Sequence, residues 1–224
     1  MTIDRVSLPK DLQPHHLRNR VVVIFDVLRA TTTMATALAN GAVEVRAFKE
    51  VGDARAAAAA FDGPKLLAGE RHGVLIDGFD LGNSPHEMTR DAVGGRTIFM
   101  STTNGTTAID ASAGAADRYV ASLVNLTDTA AHVRTLGRDV TLLSSGADGE
   151  PTGEDDHGAE QLARLLRGEA VSSSFDDRVA LFETTVGGRA VAERGQAEDI
   201  DFAATLDRVG GVCRVFEGNV VRRL

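Results

Sequence analysis

The chain has 224 residues, of which 43% are hydrophobic and 25% charged, and its formal net charge is −8. That length suits one α/β domain or two small ones, the composition is that of a folded globule, and an acidic balance without a basic block excludes nucleic acid as a natural partner. The single cysteine, Cys213, excludes an internal disulfide, and no apolar run reaches the length of a bilayer span or a secretory leader, so a cytoplasmic location without membrane contact is expected.

Taken in order, residues 21–25 (VVVIF) form the first strong element. They lack polar alternation and are β-branched, the pattern of a strand buried on both faces. Asp26 follows at once, and a carboxylate at that place needs a metal, a cation or donor groups. Arg29 stands three residues on, and Thr31 to Thr33 can cap a helix over 34–40. By itself this is equally the pattern of a strand-end Asp that caps the next turn and pairs with Arg29.

Residues 42–48 predict a short strand and 51–61, rich in alanine, a helix that Gly63-Pro64 ends. A strand over 65–68 leads into a long glycine-bearing loop, 69–82, which carries Glu70, Arg71 and His72. Ser84-Pro85-His86-Glu87 has the order of a capped helix start. Further strands are expected at 96–100, 118–121 and 139–143, with helices over 125–136 and 154–166. The tail predicts helices near 175–186 and 189–194 and a last apolar piece at 211–216.

This alternation predicts a three-layer α/β/α sandwich with a mostly parallel sheet. It is expected as one domain over 1–224, with a small C-terminal elaboration from about residue 170. Ligands of open α/β sheets bind beyond the carboxyl ends of the strands. Asp26, Gly69-Glu70, Ser101-Thr102, Ser122 and Ser144 are all placed there, which is the main residue-level argument for a site.

The polar clusters each have two readings. Residues 101–107 (STTNGTT) offer hydroxyls, an amide and a glycine at a strand-to-helix junction, suited to an oxyanion, or form a polar turn in which Asn104-Gly105 supplies positive φ. Arg71 can fork onto a second anionic group, or lie in a solvated loop. Glu154, Asp155 and Asp156 open a helix, where acids suit the dipole; with Asp26 they also form a hard-oxygen set for Mg²⁺. The GxSxG elbow, the P-loop ending and GxGxxG are absent. A haloacid-dehalogenase reading of Asp26 fails at Leu28, which stands where that family needs a second Asp.

Three blocks carry a resemblance: DVLRATTT (26–33), GERHGVLIDGFDLGNSPHE (69–87) and STTNGT (101–106), with ALANGA (37–42), the Glu154-Asp155 pair and DIDF (199–202) matching more loosely. The chain resembles the 2-phosphosulfolactate phosphatases, the ComB family. His72 stands where that family's loop has Gly. The resemblance implies an α/β layered sandwich and a Mg²⁺-dependent phosphatase acting on 2-phosphosulfolactate, in coenzyme M biosynthesis. On this reading Asp26, Arg29 and Glu70 are catalytic, and Arg71, Asn83, Ser84, Thr102, Thr103, Asn104, Gly105 and Thr106 bind a small anionic phosphorylated substrate. Asp26, Glu154, Asp155 and Asp156 hold Mg²⁺. Asp26 or a water is the nucleophile. A non-catalytic binding protein for a phosphorylated metabolite is the alternative, and the hydrophobic content allows a homodimer.

Overall fold

Apolar runs become strands of one sheet in the computed structural model, which describes residues 1–224. The strands are β1 (Ile3–Val6), β2 (Val21–Phe25), β3 (Glu44–Ala47), β4 (Lys65–Arg71), β5 (Val74–Leu75), β6 (Thr97–Ser101), β7 (Asp117–Ala121), β8 (Val140–Ser144), β9 (Cys213–Phe216) and β10 (Val220–Arg223). The helices are α1 (Pro14–Leu17), α2 (Ala30–Ala39), α3 (Val51–Ala59), α4 (Arg90–Val93), α5 (Gly105–Ala111), α6 (Leu126–Thr135), α7 (Gly153–Leu166), α8 (Phe175–Thr184), α9 (Val186–Glu193) and α10 (Glu198–Ala204).

The strand order is β1-β8-β2-β7-β9-β10-β3-β6-β4-β5. Two parallel blocks, β1-β8-β2-β7 and β3-β6-β4, are joined through the antiparallel pair β9 and β10. Neighbouring strands twist by roughly 20–25° per step, so the blocks turn against each other across that pair. Beyond residue 170 the chain therefore lays α8, α9 and α10 on the protein and then fills the middle of the sheet.

β2 lies between β8 and β7 and all five of its side chains are fully buried. Val22 and Ile24 pack with Met34 and Leu38 of α2 on one face, while Val21, Val23 and Phe25 pack with Leu126 of α6 and Leu162 of α7 on the other. Burial on both faces is why the run shows no polar alternation. Burying each such side chain stabilises by roughly 2 kcal/mol. The strand as a whole thus outweighs the few kcal/mol that a desolvated carboxylate at its end costs.

The expected loop 69–82 is more ordered than its glycines suggested. β4 runs on to Arg71 and turns through His72 and Gly73, at φ 50° and 77°, into β5. Two residues at positive φ are the geometry of a tight hairpin. The expected capped helix at Ser84 is a single 3-10 turn, Pro85–Glu87, in which Ser84 Oγ accepts from His86 N at 3.2 Å. Glu87 does not close the box, because its carboxylate accepts from Gly82 N instead. β1, β10 and α10 carry too many charges among their apolar residues to stand out as runs. No helix is long and apolar enough to cross a membrane.

Gly69 pairs with Ser101 in the sheet at φ 144°, and a Cβ there would lie 1.9 Å from Ser101 O. Gly69→Ala is expected to cost about 2–4 kcal/mol of unfolding free energy in urea titration, since backbone strain and a main-chain clash add.

Candidate active site

Asp26 is 7% exposed at the carboxyl end of β2. One carboxylate oxygen, Oδ1, accepts from Ala30 N at 2.9 Å, in the first turn of α2. Thr31 closes the same turn: its Oγ1 accepts from Asp26 N at 3.1 Å and donates to Asp26 O at 2.8 Å. The other oxygen, Oδ2, faces α5, and a Cβ on Gly105 would sit 2.7 Å from it. Gly105 is therefore demanded by close approach to Asp26 and Ala30, and it does not adopt the positive φ that an Asn-Gly turn suggests.

Asp155 fixes this strand end from the other side. Its Oδ1 accepts from Val27 N at 2.7 Å, and its Oδ2 accepts from Ser145 Oγ at 3.0 Å and Gly146 N at 3.1 Å. It ties the end of β2 to the end of β8 and has little capacity left for an ion. Asp156 accepts from Ser144 Oγ at 2.9 Å and does not line the cavity described below. The expected four-carboxylate set is thus not brought to one point, and no three His, Cys, Asp or Glu side chains form a ready ion cage. Glu154 does not line that cavity either, but it is 2% exposed and its Oε2 has no hydrogen-bond partner. Its Oε1 lies so near α9 that a Cβ on Gly187 would approach to 2.1 Å.

Glu70, on β4, accepts from Gly73 N at 2.6 Å, Thr103 N at 2.8 Å and Thr103 Oγ1 at 3.0 Å. It straps the hairpin tip to the loop after β6 while still lining the cavity. Arg71 turns away: it donates to Glu70 O, Lys49 O and Ser101 Oγ, and does not reach the cavity. Thr102 and Thr106 bond each other, Thr106 N donating to Thr102 Oγ1 at 3.2 Å and Thr106 Oγ1 to Thr102 O at 2.8 Å. They shape the turn. Thr103 and Asn104 line the cavity, and the amides of Asn104 and Gly105 have no acceptor in the protein.

Arg29 does not pair with Asp26. Its Nη1 donates to Asp199 Oδ2 at 2.6 Å and Gln196 Oε1 at 2.7 Å, in and before α10. Arg29 is 5% and Asp199 1% exposed, and Asp199 Oδ1 also accepts from Ser84 Oγ at 2.6 Å. Both Nη1 protons are used, which leaves the Nε–Nη2 edge, the one that forks onto an oxyanion. Ser84 acts through Asp199. Asn83 lines the cavity with its buried Oδ1 unpartnered.

The cavity these groups share has a volume of about 140 Å³. Beyond Asp26, Arg29, Glu70, Asn83, Thr103 and Asn104 it is walled by Val186, Gly187, Ala190 and Val191, with Arg194, His72 and Asp148 at the rim. Neither α9 nor Arg194 carries a motif that marks it, and Asp199 was visible only within DIDF.

A model of the 2-phosphosulpholactate phosphatase family matches residues 6–218. The chain belongs to that family. A Synechococcus sp. (strain CC9605) protein named probable 2-phosphosulfolactate phosphatase is 37% identical over 243 residues, 99% of each chain. One of the same name from Gloeobacter violaceus is 39% identical over 204 residues, 86% of each. In this 2-phosphosulpholactate phosphatase family member, the three sequence blocks quoted above meet around Asp26, Asn83 and Thr103.

Burial raises the Asp26 carboxyl from an ordinary 3.8 to about 6, with the neighbouring Glu70 charge adding to it and the Ala30 amide opposing it. Burial likewise pushes Asp155 well above its usual value and raises Glu154, and each is pushed further by Asp26. An acid with a raised value holds its proton longer when folded, so ionisation costs stability as pH climbs from about 4 to about 6. In metal-free buffer Asp26→Asn is expected to stabilise the protein by about 2–3 kcal/mol at pH 8, with no gain at pH 4, read by urea titration at both values. Asp199→Asn leaves buried Arg29 without its counter-charge and is expected to cost about 3–5 kcal/mol in the same measurement.

Proposed function

We propose that the chain is a Mg²⁺-dependent phosphatase, a single domain over 1–224, that converts 2-phosphosulfolactate or a similar small phosphorylated hydroxy acid to sulfolactate and phosphate. A cytoplasmic step of coenzyme M biosynthesis is the setting this reading carries. The supporting observation is Asp26: a buried carboxylate with one oxygen held by Ala30 N and the other turned toward the turn at Gly105, beside a guanidinium edge and two free amides.

The donor chemistry suits Mg²⁺. That ion is usually held by one or two carboxylates together with substrate phosphate and water. Asp26, Glu154 with its unpartnered Oε2, and Asn83 with its unpartnered Oδ1 are hard oxygen donors, and the Asp26 charge adds to the burial that raises Glu154. When bound, the ion polarises the phosphoryl group and offsets its charge.

The chain's own groups do the rest. The Nε–Nη2 edge of Arg29 and the amides of Asn104 and Gly105 hold the phosphoryl oxygens and stabilise the charge of the transition state. Asp199 and Gln196 keep that guanidinium from turning away. Asp26 Oδ2 either attacks phosphorus, breaking the bond to the ester oxygen and leaving an acyl phosphate that water then hydrolyses, or takes the proton of a water that displaces the ester oxygen directly; a carboxyl of about 6 is ionised at neutral pH and suits both. Val186, Ala190 and Val191 limit bulk water on the α9 side.

Phosphate release from 2-phosphosulfolactate is expected with Mg²⁺, to stop with a chelator and to return on adding the ion back. Asp26→Asn is expected to lower kcat by at least about 10³-fold. A single turnover in ¹⁸O water places label in the Asp26 carboxylate if that residue attacks, and only in phosphate if water does. Thermal stabilisation by the ester without any phosphate release would instead make the protein a binder.

A further inference from the structure

The cavity carries a second cation that the phosphoryl group does not need. Arg194 follows α9 at the rim of the cavity that the buried Arg29 also lines. Its Nη2 donates to His72 O at 2.7 Å and its Nη1 to Ala190 O, so two of five donor hydrogens are used. The guanidinium lies against Gly73 at the β4–β5 hairpin tip, where a Cβ would come within 2.5 Å of both Cζ and Nε. The hairpin therefore forms a main-chain seat for this side chain. One short segment sets both cations: Gln196 and Asp199 hold Arg29, and Arg194 precedes them by two and five residues. Val186, Ala190 and Val191 give the same cavity an apolar wall.

We propose that Arg194 is the specificity residue of this site and binds the acidic group of the substrate remote from phosphorus, a sulfonate or a carboxylate. This rests on the phosphatase reading and deepens it: the substrate class becomes phosphate esters with a second anion. Arg71 is replaced in that role, since it is committed to Glu70 O, Lys49 O and Ser101 Oγ and does not line the cavity. A guanidinium seated by main chain loses little freedom on closing onto a fixed anion, which favours it over a free surface lysine.

The test compares kcat/KM for 2-phosphosulfolactate, 2-phospholactate and isopropyl phosphate in the wild type, Arg194→Gln and Arg194→Lys. The Gln variant is expected to lower the first-to-second ratio about ten-fold or more if Arg194 reads the sulfonate, and the second-to-third ratio if it reads the carboxylate. Lys is expected to restore part of the ratio that falls. Both ratios unchanged within about two-fold overturn the proposal, as does a uniform loss on all three esters, which is the mark of a disturbed hairpin. Calorimetry with sulfolactate, which has no phosphate, reads the same contact without turnover and is expected to weaken about ten-fold in the Gln variant. A wild type that hydrolyses none of the esters yet binds sulfolactate through Arg194 retires the phosphatase reading and leaves this one standing. A wild type that hydrolyses without discrimination does the reverse, and one that neither hydrolyses nor binds removes both.

Discussion

A carboxylate held out of water at the end of a buried strand sets the terms for everything around it. Asp26 is desolvated together with Asp155 and Glu154; its charge makes both of them harder to ionise, and Glu154 adds to the effect on Asp155. Main-chain amides offset part of that cost. α2 presents Ala30 N to Asp26, while Val27 N and Gly146 N go to Asp155. α2, α5 and α9 all begin here: Ala30 N bonds Asp26, Gly105 packs on it, and Val186 and Gly187 line the same cavity. The Arg29 guanidinium offsets a further part at Asp26, while Glu154 Oε2 is left without a partner.

The architecture explains how so many chain segments reach one carboxylate. β2 and β6 belong to different parallel blocks, and the antiparallel pair β9–β10 sets the angle between them. Their carboxyl ends meet so closely that only glycine fits at position 105. The C-terminal quarter of the chain thus has two tasks. It completes the sheet, and through α9 and α10 it supplies the apolar wall and the groups that aim Arg29.

Much of the fold could be read from residue pattern. The strand at 21–25, the alanine-rich helix expected at 51–61 and the helix at 154–166 all fall within a residue or two of the observed elements, because apolar runs and low side-chain entropy act locally. β5 and β10 escaped notice because they are short and need a partner strand to exist at all. The hairpin at His72-Gly73 hid inside what looked like a loop, since its order comes from Glu70 bonding Gly73 and Thr103, a pairing 33 residues apart for the latter.

Asp26 and the turn at Thr103–Gly105 were determined by sequence alone as polar groups at strand ends, for the physical reason that a charge after a buried run has few places to go. Which cation answers which carboxylate was decided only in three dimensions. Arg29 stands three residues from Asp26 yet bonds Asp199, 170 residues away, and Asp155 looked like an ion ligand but clamps β2 to β8. Arg71 sits in a signature block and points elsewhere, while Arg194 sits in none and lines the cavity. Long side chains choose partners by what packing brings within hydrogen-bond reach, and that is a property of the folded chain, not of spacing along it.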